Sequence, residues 1–200
     1  PKTVFATLFE TSARYSANTS GGTVTYETNG VYFDTTATGS RYAGIYNSTS
    51  VNDNPFSGDP IANWVFFPSV IGTTGFCYFN IGSNFSGENP TARHAGFKVG
   101  ISGSVASLYA TQSNGTSNTL SSALTTISAN DRVEVCLKVN GTSSIDYYWR
   151  KNGGAWSSAT NLSTNMPTST DSQGFFNLLV SNASTSSQTT FYVQSFNYQR

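Results

Sequence analysis

Apolar and polar residues alternate along much of this chain with the period of a β-strand. In RVEVCLKV, Val133, Val135, Leu137 and Val139 fall on one side, and Arg132, Glu134, Cys136 and Lys138 on the other. That is the period of two shown by a half-buried antiparallel strand. Eleven further runs are TVFATLF, GTVTYE, GVYFDT, YAGIY, NWVFFPSV, GFCYFNIG, AGFKVGIS, SVASLYAT, IDYYWRK, GFFNLLVSN and TTFYVQSFNYQ. All are rich in β-branched and aromatic residues and bounded by Gly, Asn, Ser or Pro, so each reads as a strand. NWVFFPSV is apolar on both sides, which predicts cover on each face, by a loop or a neighbouring subunit, and places Pro68 at an edge or bulge. The pairs Asn29-Gly30, Asn114-Gly115, Asn140-Gly141 and Asn152-Gly153 fall between these runs, where turns need residues that tolerate a positive φ. Only SSALTTISAND has the composition for a turn or two of helix. About twelve short strands with frequent turns predict an all-β, antiparallel β-sandwich. Residues 1–200 suit one domain of this kind, with longer connections near residues 47–61, 82–94, 112–130 and 157–173.

Composition narrows the function classes. The chain is 37% hydrophobic and 14% aromatic, enough for a packed interior without staples. Charged residues are only 10%, against about 25% in ordinary soluble domains, and Ser, Thr, Asn and Gly supply the missing polarity. Ten Lys and Arg balance ten Asp and Glu, and Arg150-Lys151 is the one adjacent basic pair. Nucleic-acid binding, which draws on clustered positive charge, is not expected. Nothing approaches the roughly 18 consecutive apolar residues of a membrane-inserted helix. The opening PKTVFATLFETS lacks the continuous apolar core of a secretion signal, which implies a different route or a signal already removed. Cys77 and Cys136 are too few for a disulfide framework or a zinc site; they offer one disulfide or two separate thiols.

Catalytic constellations are absent from the pattern. Neighbours on one strand face lie two residues apart, yet none of Glu10, Glu27, Asp34, Glu88, Asp131, Glu134, Asp146 or Asp171 has an acidic partner at i±2 or i±4, as a glycosidase pair on one strand would require. The single histidine, His94, has no nucleophile motif beside it and reads as a loop-end residue bonded to backbone. Asp53 and Asp59 in VNDNPFSGDP offer oxygens to a hard cation, or serve as ordinary Asx turns. Aromatics are more suggestive, because sugar rings stack on Trp and Tyr while short polar side chains bond the hydroxyls. Candidates are Trp64, Tyr147, Tyr148, Trp149 and Trp156. Alternation in IDYYWRK puts Tyr147 and Trp149 on the core side. Tyr148, flanked by Asp146 and Arg150, and Trp156, after the Gly153-Gly154 turn, are left as the candidate ligand-binding set. The seven Asn-x-Ser/Thr sequons are near the number that so much Asn, Ser and Thr gives by chance.

The order AGFKVGIS, SVASLYATQSNGT, RVEVCLKVNG, IDYYWRKNGGAW, GFFNLLVSNAS, TTFYVQSFNYQ resembles the concanavalin A-like, laminin-G-like jelly rolls of bacteriophage tail and capsid-surface proteins and of secreted adhesins. The likeness is clearest in residues 93–200. It implies a non-enzymatic, virion-surface or extracellular module, as capsid decoration or for host attachment, with a stand-alone carbohydrate-binding lectin or adhesin as the alternative. Implied partners are further copies of the chain, in a trimer that would cover NWVFFPSV, virion structural proteins and cell-surface glycan. The Ca²⁺- and Mn²⁺-binding cluster of the legume-lectin branch and the Glu-x-Asp-x-x-Glu strand of the glycosidase branch have no counterpart here, so no cofactor is expected.

Overall fold

A computed structural model describes residues 3–7, 15–37, 41–47, 54–83, 90–168, 176–183 and 187–199. Strands β1 (Thr3–Thr7), β2 (Tyr15–Ser20), β3 (Thr23–Glu27) and β4 (Gly30–Asp34) come first. They are followed by β5 (Tyr42–Asn47), β6 (Ile61–Val70), β7 (Thr74–Gly82) and β8 (His94–Ser102). Next are β9 (Val105–Ser113), β10 (Asn118–Leu120), β11 (Thr125–Ile127) and β12 (Val133–Asn140). The last four are β13 (Ser144–Lys151), β14 (Thr160–Leu162), β15 (Phe176–Ser181) and β16 (Thr190–Gln199). The first sheet runs β14-β13-β12-β6-β16-β4-β3, with β1 also on β16; the second runs β10-β9-β8-β7-β15-β5-β2, with β11 also on β9. Every named pairing is antiparallel.

Each of the twelve runs contains a strand among its described residues, and β2, β10, β11 and β14 are additional. The helical reading of SSALTTISAND is overturned: Thr125–Ile127 pairs with Leu108–Ala106 as β11, because an open strand edge offers those backbone groups a ladder that local helix preference cannot match. The pattern in RVEVCLKV holds, with Val133, Val135, Leu137 and Val139 fully buried. In β6 the even positions Ala62, Trp64 and Phe66 are buried, and the odd positions Ile61, Asn63, Val65 and Phe67 are half-buried. Pro68 sits where the β6–β16 register shifts, so the expected bulge is present and no ladder donor is missed.

Inward side chains of both sheets form one aromatic-rich core. Trp64 of β6 meets Phe97 of β8 edge-on at 6.2 Å and Phe196 of β16 at 5.1 Å. Phe66 stacks on Phe79 of the opposite sheet at 4.1 Å. Offset and edge-to-face geometries of this kind add to simple burial. Tyr147 crosses between sheets, its hydroxyl donating to Thr111 O (3.1 Å) and Gln112 Oε1 (3.0 Å) on β9. That pins β13 of one sheet to β9 of the other. The β8–β9 hairpin turns on Gly103 (φ +57°) and Ser104 (φ +64°), the two positive φ values of a two-residue turn matched to strand twist. Its register sets the outer face of the second sheet: Lys98 lies opposite Tyr109, and Gly100 opposite Ser107.

Candidate functional site

The four residues expected to contact ligand do gather on the outer face of the first sheet. Asp146, Tyr148 and Arg150 alternate outward along β13, across from Lys138, Cys136 and Glu134 of β12. The chain leaves β13 through Asn152 (φ +51°) and Gly153 (φ +73°), and Ser157 N–H donating to Trp149 O at 2.8 Å ties the segment back. Ser157 Oγ in turn accepts from Trp149 N–H at 3.1 Å. This return lays the Trp156 ring over the Arg150 guanidinium, 4.8 Å from its carbon. Arg150 is itself held by Glu134 at 2.7 Å, and Glu134 also takes Arg132. Trp156 stays 43% exposed. The result is an indole with one face occupied by a fixed cation and a large part of its surface open to a ligand.

Arg150 is the structural partner of that platform, whereas Asp146, further along β13, ties the Asn140 turn and Asn161 of β14 together. Asp146 accepts from Asn140 Nδ2 (2.8 Å) and Asn161 Nδ2 (2.7 Å). The bonds from Asn161 and Asn140, with a smaller contribution from Lys138, outweigh desolvation and hold its carboxyl below the usual range. Burial pushes the Glu134 carboxyl up, but Arg150 and Arg132 outweigh it and its pKa lies below normal. Asp131 is similar: burial is opposed by the Ser128 N–H, Asn152 and Lys151, and the net shift is downward. Trp149 packs half-buried against the core, while Tyr147 and Trp64 are fully buried within it.

Position bears on three other expectations. Cys77 points into the core from β7, whereas Cys136 faces outward from β12 in the other sheet; both are free thiols. A disulfide needs Cβ atoms aimed at one another, so the two-thiol alternative stands. Burial raises both, Cys136 to about 11 and Cys77 well above its ordinary value, and neither has the thiolate character of a nucleophile. Asp59 (φ +54°) accepts from Gly141 N–H at 2.7 Å, a turn contact, while Asp53 lies outside the described residues. His94 opens β8 and is fully buried, its Nδ1 at 2.7 Å from Ala92 O and Nε2 at 3.1 Å from Thr111 Oγ1. Burial lowers it to about 4, against a smaller opposing effect of the Ala92 bond. It is neutral, so Nδ1–H donates to Ala92 O and Nε2 is left unprotonated beside Thr111 Oγ1, whose own proton is directed to Asn118 Oδ1 at 3.1 Å.

Sequence reasoning missed the outer face of the second sheet. A groove of about 290 Å³ opens there, lined by Gly75, Lys98, Gly100, Ser102, Ser107 and Tyr109, with Val105 and Leu120 at its borders. The Gly103-Ser104 turn was the available signal, since with the apolar alternation of the two strands it sets which β9 residues face which β8 residues.

No family model matches the chain, and no curated protein matches it either. Solved structures do. The CBM2 module of the evolved Dit of Lactobacillus casei BL23 phage J-1 superposes with TM-score 0.64 at 10% identity, covering 98% of this chain and 94% of that one. Peanut lectin in complex with a nine-residue peptide gives 0.62 at 12%, covering 99% and 97%. The fold is the concanavalin-like jelly roll. A legume lectin-like domain from Entamoeba histolytica gives 0.57 at 10%, covering 94% and 90%. A jelly roll of the legume-lectin branch implies a metal cluster, and the described residues assemble no donor set for one. Among the described residues no three His, Cys, Asp or Glu side chains gather. His94 Nε2 lies beside Thr111 Oγ1, and its neighbours in the outward rows of this sheet are Asn80, Lys98 and Ser113, which offer a cation no carboxylate.

Proposed function

We propose that this jelly roll is a non-enzymatic carbohydrate-binding module displayed outside a cell, with Trp156 and Tyr148 as its sugar-contacting residues, Arg150 as the support of the indole and Asp146 in the same outward row beside Tyr148. The observation that carries the reading is the Trp156 indole, fixed on Arg150 and open to solvent. Rigid aromatic platforms lose little entropy on binding, and a pyranose presents its C–H face to such a ring. Three of the described carboxylates lack the shift a general acid would need. A general acid needs a raised pKa, whereas Asp131, Glu134 and Asp146 are all shifted down.

A glycan array on the whole chain tests this. Trp156→Ala is expected to weaken binding about tenfold or more and Tyr148→Ala by less, about 1.4 kcal/mol corresponding to each factor of ten. Both should leave the thermal transition within a few degrees. Absence of binding by the unaltered chain, or binding indifferent to Trp156→Ala, overturns the reading.

Display on a virus particle, as decoration or attachment module, is the finer proposal, and the likeness to a phage-borne module supports it. In that reading residues 1–200 act as one unit whose copies associate, as in a trimer, alongside virion structural proteins. The face that favours association is the outer side of β6, β16 and β4, where Tyr32 and Tyr192 lie 4.8 Å apart, Phe67 and Tyr192 6.0 Å apart, and Val65 follows in the same row. Sedimentation should show self-association that Phe67→Glu abolishes; a monomer at tens of micromolar would sink it.

A further inference from the structure

The groove on the second sheet is distant in the fold from Trp156, and its lining points to a ligand class. Its floor is Gly100: a Cβ there would lie 3.2 Å from Tyr109 Cε2, so the glycine lets the tyrosine ring cross the floor. Three hydroxyls, from Ser102, Ser107 and Tyr109, edge the space. No described residue hydrogen-bonds them. Among the described residues four large hydrophobic side chains are exposed, Val70, Val105, Leu120 and Trp156, and two of them, Val105 and Leu120, line this groove. Exposed apolar side chains beside uncommitted hydroxyls match a molecule with one C–H face and a rim of hydroxyl groups.

Charge narrows the class further. Among the described residues no carboxylate lines the groove, and the one cation there, Lys98, is only 6% exposed, its ammonium lying over the Phe76 and Tyr78 rings at 5.9 and 5.7 Å. The groove therefore presents hydroxyls and hydrocarbon rather than an exposed charge. Ligand pockets generally span about 300–1,000 Å³, so a space at the lower end takes about one sugar ring.

We propose that this groove is a second glycan subsite, taking one uncharged sugar residue whose C–H face lies on Tyr109 and Leu120 and whose hydroxyls bond Ser102, Ser107 and the Tyr109 hydroxyl. It rests on the carbohydrate-binding reading for its ligand class but shares no residue with the Trp156 platform. Occupation of sites on opposite sheets lets one module hold two glycan chains, or two points of one, with the gain in avidity that double attachment brings.

Two-dimensional amide NMR on the whole chain tests it, using D-glucose, D-galactose, D-mannose and N-acetyl-D-glucosamine as probes and D-glucuronate and D-galacturonate as acidic counterparts. At least one neutral probe is expected to shift Gly100, Ser102, Ser107 and Tyr109, and those shifts should persist in Trp156→Ala. Tyr109→Ala is expected to weaken them about tenfold or more. The Val105→Ala/Leu120→Ala double variant removes only exposed side chains, and it should weaken them several-fold while the rest of the spectrum is unchanged. Shifts confined to the surroundings of Trp156 overturn the groove proposal and leave the platform standing. Shifts at the groove alone, indifferent to Trp156→Ala, support the groove and overturn the platform. Preference for the acidic sugars, or no groove shift with any probe, overturns the proposal as stated.

Discussion

Replacing Trp64 with alanine is expected to destabilise the jelly roll by about 3–5 kcal/mol, the range for removing a large buried aromatic. Trp64 is fully buried at the centre of β6 and links Phe97 across the sandwich to Phe196 beside it. Little around it can collapse, because β6 is held on both sides, by β12 and β16. The expected fall in Tm is of order 6–20 °C, since each kcal/mol moves a domain of this size by about 2–4 °C. Trp64→Phe distinguishes packing from polarity. Among the described residues the buried indole Nε1–H has no hydrogen-bond partner, and an unsatisfied buried donor costs about 1–3 kcal/mol. Phenylalanine sheds that penalty while losing part of the ring, so its net cost should be far smaller than that of alanine. Urea unfolding of the three proteins checks this; equal losses for Phe and Ala would show that the orphaned donor carries no penalty. Trp64 matters for the candidate site because β6 sets the position of β12, and β12 carries Glu134.

The second large effect is on pH dependence. His94 is buried neutral, with its pKa lowered to about 4 from an ordinary 6.5. Above pH 6.5 neither the folded nor the unfolded chain binds a proton there. As pH falls from 6.5 towards 4 the unfolded chain takes up the proton first, so the unfolded state is favoured and stability declines. The whole decline amounts to about 3 kcal/mol, because a gap of one pH between the folded and unfolded titrations corresponds to about 1.4 kcal/mol. Asp131, Glu134 and Asp146 act in the same direction at lower pH. Their folded pKa values are depressed, so the stability they contribute is present above about pH 4 and lost as pH falls through the folded values. Chemical denaturation at steps from pH 7.5 to 4.5 should show the decline, and His94→Gln should flatten it while lowering stability at pH 7.5. A slope unchanged in His94→Gln would place the titration elsewhere.

Much of the fold was legible because its signals are local. Alternation in RVEVCLKV follows from the strand period alone, and the twelve runs each carry enough branched and aromatic residues to be read without their partners. The short strands were not legible. Asn118–Leu120, Thr125–Ile127 and Thr160–Leu162 are three residues each, too short for a period, and they exist because β9 and β13 offer them an open edge. Cys77 and Cys136 looked equivalent in sequence, both lying in strands. Their separation depends on which sheet each strand joins.

The candidate platform was partly legible for the same reason. Alternation in IDYYWRK put Tyr148 outward and Tyr147 inward. It could not reveal that the turn at Asn152-Gly153 lays Trp156 on Arg150, or that Asp146 and Arg150 are spent holding neighbours. The groove was the less legible feature, since Ser102, Ser107 and Tyr109 meet only through the hairpin register that the Gly103-Ser104 turn sets.

By itself the sequence determined the all-β class, the inward and outward faces of its long strands, a weakly charged surface and the lack of carboxylate pairs on a strand, because each depends on residue type and short-range spacing. Only the tertiary structure decided which edges pair, where Cys77 and Cys136 point, that His94 is buried neutral, and which hydroxyls are left free beside Tyr109. Those outcomes come from contacts between residues far apart in the chain, where register and packing, rather than local preference, set the energy.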